Sequence, residues 1–422
     1  MPSLDAASAA ADLRDPALRK VVFLGPQRLA PMVGDVAERL GITGKAAIIT
    51  AGWQDREPED GELRSALRLP AVNLRLHERW HQVELEDPGL FAAHRRRQDQ
   101  LRALEDLYDD RLRHTMAAAR EMLAHPGPTA LLDPERASAV AAVRGLDEHH
   151  LQRVAEIHAA WHDEFDARRH PALQRQRAEV QGLLDECSVI AVAGGHVGVL
   201  LNRLRIFGLD DALWRKDVLA WSGGAMVLTE RLVLFHDRPP QGAGNAEVFE
   251  HGFGLVSGVV CLPHARRRLE LRDPVRVALM ARRLSPARAI AFDERSWLAF
   301  AAQRPAPGDE RHEPRNPLDG APAAGELARV LCTSGQVCDF EEGFGQPCEG
   351  TDGAPIDSKL LQAEPAAAGL AGSDVASAHA RRDRPPRLNV DAGGPLADAG
   401  GAVHPEAPAA AAPARPRQRG VG

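Results

Sequence analysis

The stretch Asp217-Val-Leu-Ala-Trp-Ser-Gly-Gly-Ala-Met226 decides how the rest of the chain is interpreted. Its first half is a short apolar run typical of a buried strand, and the run ends at Ser222 between small residues. A serine nucleophile needs a sharp strand-to-helix turn, where its hydroxyl stands clear and the two backbones nearly touch. The positions two before and two after the serine are Ala220 and Gly224. Because Ala220 departs from the pattern G-x-S-x-G, an ordinary tight turn is the alternative.

The composition divides the chain into parts. Residues 1–18 are rich in Ala and Asp and are interpreted as a loose leader. Residues 303–422 are rich in Pro, Ala, Gly and Asp and contain only two aromatic residues, Phe340 and Phe344. Such a segment buries too little apolar surface to offset its ordering entropy, which predicts a mostly disordered tail. The folded domain is therefore expected within residues 19–302.

Net charge, cysteine content and hydropathy bear on the partners and the cellular compartment of the protein. The net charge of −7 argues against a nucleic-acid partner. Five cysteines without a regular pairing pattern favour a reducing cytoplasm. No apolar run approaches the roughly 20 residues needed to span a bilayer, and the N-terminus lacks the apolar core of a signal peptide. These features predict a cytoplasmic protein without a membrane partner.

The first part of the domain has the pattern of a parallel sheet. Residues 20–25 and 45–52 are apolar runs typical of buried strands, and residues 29–40 between them have helical spacing. Strand, helix and strand at this spacing predict a βαβ unit and an α/β fold. The loop 52–57 follows the second strand, so it is either part of a ligand site at the carboxyl edge of the sheet or a solvated acidic loop.

Residues 78–186 predict a helical insertion between two strands of the sheet. Apolar residues recur three or four positions apart, and Asp133-Pro134 has the residue types of a helix start. His158 and His162 lie one turn apart and could hold a metal, but no third ligand is evident, which favours packing between helices. Cysteines in the tail lack the paired spacing of a zinc site. The sequence therefore predicts no metal and no cofactor.

Polar residues follow the apolar runs of the second half of the domain. They are Gly194-Gly195-His196, His236-Asp237, Pro263-His264 and Asp293-Glu294. Parallel strands place such residues at one edge of a sheet. A nucleophile needs a base, and the base needs an orienting acceptor, so this order could supply a Ser-His-acid relay around Ser222.

These elements, with Trp221-Ser-Gly-Gly-Ala225 and Gly252-Phe-Gly-Leu255, resemble the aspartyl dipeptidase and cyanophycinase family of serine peptidases. The resemblance covers roughly residues 20–80 and 187–302. It implies a mostly parallel sheet flanked by helices, of the class I glutamine amidotransferase-like type. A serine as nucleophile argues against glutamine amidotransfer itself, which uses cysteine on this fold.

The resemblance also implies roles for individual residues. The nucleophile of the family matches Ser222, its histidine matches His264 and its acid matches Glu294. Its glycine-rich turn is similar to Gly194-Gly195-His196, which would place the backbone of Gly195 or His196 beside Gly223 in an oxyanion hole. The chain departs from the family in three places: Gly223 replaces the usual alanine, His196 the usual amide, and Pro263 the residue before the histidine.

Further residues have two interpretations each. Arg266 and Arg267 follow the candidate base and could bind a substrate carboxylate, or they could form a solvated face. His236 and Asp237 could line the pocket, and His236 could replace His264 as base. The sequence thus predicts a serine peptidase or amidase that acts on a small peptide or amide, with a homo-oligomer as an open option. A non-catalytic binding protein and an ester hydrolase with the same triad are the alternatives.

Overall fold

The computed structural model describes residues 13–166, 169–235, 244–303, 322–340 and 351–356. The strands are β1 (Leu18–Leu24), β2 (Ala46–Ile49), β3 (Ala71–Asn73), β4 (Val189–Val192), β5 (Asp217–Trp221), β6 (Arg231–Leu234), β7 (Glu247–His251), β8 (Val259–Pro263), β9 (Arg288–Phe292), β10 (Trp297–Gln303), β11 (Ala324–Glu326), β12 (Arg329–Leu331) and β13 (Val337–Asp339). The helices are α1 (Val33–Arg39), α2 (Gly61–Leu67), α3 (Leu76–Glu86), α4 (Pro88–Ala124), α5 (Thr129–Glu164), α6 (Pro171–Asp185), α7 (Val197–Ile206), α8 (Asp210–Arg215), α9 (Gly223–Val227), α10 (Ala265–Arg268) and α11 (Pro274–Leu284). A 3-10 segment, Ala51–Arg56, follows β2.

The main sheet has seven strands in the order β11-β10-β1-β5-β4-β2-β3. The five strands from β1 to β3 run parallel, and β10 and β11 are antiparallel to their neighbours. All five residues of β5 are buried because both faces of the sheet are covered. Val218 and Ala220 join the core on one face, and Leu219 and Trp221 join the core on the other. The chain is thus an α/β protein with a mixed, mostly parallel sheet, as the sequence predicted.

The carboxyl ends of the parallel strands bring several loops together. The N–H of Ser222, after β5, donates to the Leu24 carbonyl at the end of β1 at 3.4 Å. The N–H of His196, after β4, donates to the Gly52 carbonyl after β2 at 2.7 Å. The loops that follow β1, β2, β4 and β5 therefore meet at one edge, which is where open α/β sheets bind ligands.

A second sheet carries the other candidate site residues. It has the order β13-β12-β9-β8, with β8 and β9 parallel, and β6 pairs with β7 in a separate two-stranded sheet. His264 follows β8, and Asp293 and Glu294 follow β9. The expectation that these residues end strands of the same sheet as Ser222 is therefore wrong. An apolar run shows that a strand is buried, but it does not show which sheet the strand joins.

Helices α3 to α6 occupy the chain between β3 and β4. Helix α5 has 36 residues. It begins at Thr129, so Asp133-Pro134 lies inside the helix rather than at its start. The reason is packing: residues of α4 and α5 form one apolar cluster along both helices, and this outweighs a local capping pattern.

Part of the predicted tail belongs to the fold. Strand β11 extends the main sheet beside β10, and β12 pairs with β9 in the second sheet. These strands bury Val330, Leu331 and Cys338. A few apolar residues are thus enough to order a short strand when a strand of an existing sheet supplies its hydrogen-bond partners. These strands are ordered parts of a segment for which the composition predicts mostly disorder. The rest of the predicted tail, apart from residues 351–356, and residues 1–12 of the predicted leader lie outside the described residues.

None of the helices in the described part of the chain combines the length and the hydropathy required to cross a membrane.

Candidate active site

Ser222 occupies a strained turn between β5 and α9. Its backbone has φ 52° and ψ −126°, and it is the N-cap residue of the helix. A residue with a side chain adopts positive φ at a cost of about 1–3 kcal/mol, and such strain is concentrated at functional sites. The side chain is partly exposed while its neighbours Trp221 and Gly223 are buried. The hydroxyl is thus presented in the manner of a nucleophile elbow.

The glycines around Ser222 are explained by close backbone approach. A Cβ on Gly224 would lie 2.2 Å from the Val192 carbonyl oxygen, because α9 crosses the end of β4. A Cβ on Gly194 would lie 2.7 Å from the Cβ of Ser222. At Gly223 the nearest atom is a methyl group of Val197, at 3.0 Å from a built Cβ. Packing against Val197 therefore favours a glycine at the first position after Ser222.

His264 lies within hydrogen-bond reach of the serine. The Ser222 Oγ and the His264 Nε2 are 3.2 Å apart, and both side chains are partly exposed. The imidazole is placed by the end of β8 and by a left-handed backbone conformation, with φ 56°. A nucleophile and a base at this separation meet the geometric requirement for proton transfer. His236 lies outside the described residues.

The carboxylates after β9 are arranged differently from the expectation. Glu294 is exposed and makes no hydrogen bond or ion pair with another residue in the described ranges. The buried carboxylate is that of Asp293, whose Oδ1 accepts a hydrogen bond from the Arg266 N–H at 3.0 Å. Its Oδ2 pairs with Arg329 at 2.6 Å. Asp293 therefore fixes the turn that follows His264, and the structure does not bring Glu294 to the imidazole. Asp237 lies outside the described residues.

Two backbone N–H groups near Ser222, those of Gly223 and Gly195, are candidates for binding an oxyanion on a substrate. Gly223 opens α9, so its N–H has no acceptor within the helix. The backbone N of Gly195 lies 3.5 Å from a Cβ built on Gly223, which places the two glycines side by side. The N–H of His196 instead donates to Gly52, so of the two residues proposed beside Gly223, Gly195 fits the role and His196 does not.

The side chain of His196 has a structural role. Its Nδ1 accepts a hydrogen bond from the Val199 N–H at 3.2 Å and caps α7. Burial lowers the pKa of His196 to about 4, so the ring is neutral near neutral pH. A neutral ring is required here, because a protonated Nδ1 could not accept the capping hydrogen bond.

Arg266 and Arg267 lie on α10, directly after His264, and both are exposed. The Arg266 Nε is 3.5 Å from the Asp293 Oδ2, which directs this guanidinium toward the carboxylate. Arg267 stays a candidate for substrate contact by position alone.

A second group of polar side chains lies near this edge of the sheet, and sequence reasoning missed it. The ring nitrogens Nε2 of His77 and His81 are 3.0 Å apart, and the His77 Nε2 is 3.8 Å from the Asp55 Oδ1. Burial, together with the nearby Arg203, lowers the pKa of His77 to about 3. The hydrogen bond to Glu84 raises the pKa of His81. A pattern in the sequence could have indicated this group, because His77-Glu-Arg-Trp-His81 has the H-E-x-x-H pattern of a zinc-binding helix.

The two histidines that were considered as ligands, His158 and His162, lie in different surroundings. The His158 Nε2 lies 2.7 Å from the Glu250 Oε1, and Glu250 also pairs with Arg205. Burial lowers the pKa of His162. Within the described ranges, neither histidine belongs to a group of metal-ligating side chains. Cys187 and Cys261 are buried thiols whose pKa values are raised by burial.

Comparison with known proteins gives weak structural similarity. The chain matches no known family model, and no curated protein is significantly similar to it. A solved structure described as the crystal structure of a peptidase from an acI-B1 Actinobacterium is similar at 11% sequence identity and a TM-score of 0.32. The similarity covers 68% of this chain and 88% of that chain. At this level it establishes neither a shared fold nor a shared activity.

Proposed function

We propose that the protein is a serine hydrolase that cleaves an amide or peptide bond through Ser222. The observation that carries the proposal is the 3.2 Å contact between the Ser222 Oγ and the His264 Nε2 at a strained strand-to-helix turn. Positive φ at a residue with a side chain costs stability, and such strain is concentrated at functional sites. The resemblance of the motifs to the aspartyl dipeptidase and cyanophycinase family, and the class I glutamine amidotransferase-like fold it implies, agree with this proposal.

The proposed reaction has two stages, acylation and deacylation of Ser222. The His264 Nε2 takes the proton of the Ser222 hydroxyl while Oγ attacks the carbonyl carbon of the substrate. The carbonyl oxygen becomes an oxyanion, which the N–H groups of Gly223 and Gly195 stabilise. The protonated imidazole then donates its proton to the amine as the C–N bond breaks, leaving an acyl group on Ser222. Water, deprotonated by the same nitrogen, hydrolyses this ester and restores the serine.

The orienting acid belongs to the loop after β9 in this proposal. The family resemblance selects Glu294, whose exposed side chain would have to turn toward His264 in the bound state. Asp293 acts instead as a positioning residue, because it holds the Arg266 N–H and thereby the turn that carries the imidazole. Glu294→Gln should lower kcat if the first assignment is right, whereas Asp293→Asn should lower both kcat and stability.

The test is hydrolysis of short peptides and small amides by the purified protein and two variants. Ser222→Ala and His264→Ala should each lower kcat by about 10³-fold or more, because the two groups act as a unit. Ser65→Ala is the matched control, since Ser65 bonds only within its own helix, to the Gly61 carbonyl. Turnover of Ser222→Ala at the wild-type rate would overturn the proposal. Ligand binding without turnover by any form would favour the binding-protein alternative.

A further inference from the structure

The side chains of Asp55, His77 and His81 converge from two elements. Asp55 lies in the 3-10 segment after β2, next to a left-handed residue, Gln54, with φ 56°. His77 and His81 lie one turn apart on α3, so both rings project from one face of the helix. One ligand atom from each of the three residues lies within 4.8 Å of the others, and the described residues hold no other such group of three.

The spacing of these atoms suits a metal ion at their centre. Ligand atoms about 2.0–2.1 Å from a tetrahedral ion are roughly 3.3 Å apart. The measured separations of 3.0 Å between the two Nε2 atoms and 3.8 Å between the His77 Nε2 and the Asp55 Oδ1 lie on either side of this value. Two imidazole nitrogens that face each other at 3.0 Å satisfy at most one hydrogen bond, whereas a cation between them would accept both lone pairs.

The side chains around Asp55, His77 and His81 also suit a bound metal ion. The His81 Nδ1 lies 2.8 Å from the Glu84 Oε2, the carboxylate–histidine pair that orients metal-bound imidazoles. Glu84 is itself held by the indole N–H of Trp80. Glu57 anchors the start of α3, because its Oε2 accepts the N–H groups of His77 and Glu78 at 2.9 and 3.0 Å.

Other charged side chains lie near Asp55, His77 and His81 without belonging to the ligand group. Arg203 is buried, stacks on Trp80 and places a positive charge near His77. The Glu57 carboxylate interacts with the charge of Arg203, and the carboxylates of Glu84 and Asp55 favour positive charge at His81. The carboxylate of Glu78 pairs with Arg75 at 3.1 Å and is half-exposed, so it has no part in the ligand group.

We propose that Asp55, His77 and His81 bind a divalent transition-metal ion of the zinc class. Imidazole with one carboxylate is a ligand set that such ions prefer, and three protein ligands leave the fourth position open. Ca²⁺ and Mg²⁺ are excluded as the preferred ions because they require mostly oxygen ligands.

The bound ion would fix a loop that touches the candidate active site. Gly52 lies in the 3-10 segment that carries Asp55, and its carbonyl accepts the His196 N–H beside Gly195. An ion that ties Asp55 to α3 therefore also steadies the turn that carries Gly195. This metal site does not depend on Ser222 acting as a nucleophile, so Ser222→Ala should bind the ion as the wild type does.

The experiment measures metal affinity of the full chain after treatment with a chelator. Zn²⁺ is titrated in competition with a chromophoric chelator, and Co²⁺ is followed by its visible absorption, which reports coordination by nitrogen and oxygen. The wild type should bind one ion per chain and gain thermal stability on binding. Asp55→Asn and His81→Ala should abolish this binding, and Glu84→Gln should weaken it about 10–100-fold.

Glu59→Gln is the matched control, because Glu59 is an exposed carboxylate near Asp55 that pairs with Arg56. It should leave the affinity unchanged. Asp55 has 79% of its side chain exposed, so its substitution tests the ligand without disturbing the core. Failure of the wild type to bind Zn²⁺ stoichiometrically, or equal affinity of Asp55→Asn, His81→Ala and the wild type, would overturn the proposal.

Discussion

Replacing Gly224 by alanine tests the packing that shapes the serine turn. The added Cβ would lie 2.2 Å from the Val192 carbonyl oxygen, 2.9 Å from its carbon and 3.1 Å from the Ala193 oxygen. All three neighbours are backbone atoms, so no side chain can swing away to relieve the contact. Either α9 or the end of β4 must move by roughly 1 Å to restore an ordinary contact distance.

The expected magnitude follows from that displacement. Overpacking of a buried position costs about 1–3 kcal/mol of the free energy of unfolding, and alanine recovers at most about 1 kcal/mol through its better helix propensity. Because Ser222 is the N-cap residue of the displaced helix, its Oγ should leave the line of the His264 Nε2. A shift of about 1 Å at a reacting group can lower kcat by about 10²-fold.

Chemical denaturation and kinetics together provide the assay, with Gly182→Ala as control. Gly182 lies in α6, and a Cβ there would meet nothing within 4 Å. The control should raise stability by about 0.5–1 kcal/mol. A Gly224→Ala variant with wild-type stability and activity would show that the close approach of α9 to β4 does not shape the site.

Two other predictions concern the rest of the molecule. Truncation after residue 321 should lower the midpoint of thermal unfolding clearly, because it removes β11–β13 and the partner of Asp293. Truncation after Ile356 removes none of the described contacts, and equal midpoints for the two truncations would contradict this view. Burial would raise the pKa of Glu250, but the His158 hydrogen bond and the Arg205 charge lower it to about 2. A carboxyl whose pKa is lowered in the folded protein stabilises the fold above the pKa of the unfolded chain, and this stabilisation is lost as the pH falls. Glu250→Gln should therefore lower the free energy of unfolding by about 3 kcal/mol at neutral pH and by less toward about pH 3. A pH-independent difference in urea midpoint would refute this assignment.

The strands of the main sheet could be predicted from sequence because their signals are local. β1, β2, β4 and β5 are continuous apolar runs closed by small residues, as buried parallel strands require. The turn at Ser222 could be predicted for the same reason, since its small neighbours are adjacent in sequence. The contact between Ser222 and His264 depends on two separate sheets, and no local pattern encodes it.

Other features escaped prediction for physical reasons that can be named. The short strands β11–β13 have weak local signals and depend on hydrogen-bond partners in β9 and β10. Asp55, His77 and His81 come from a loop and a helix start, and His77 fell just before the predicted helical insertion. The H-E-x-x-H pattern was present, but its third ligand is close only in the folded chain.

Labelling with a fluorophosphonate probe, mapped by mass spectrometry of the digested protein, tests directly whether Ser222 is a nucleophile activated by His264. We expect one adduct per chain on the Oγ of Ser222 and no adduct in Ser222→Ala. Labelling of His264→Ala should be much slower, because the imidazole activates the hydroxyl. Absence of labelling in the wild type, or an adduct on another residue that persists in Ser222→Ala, would contradict it.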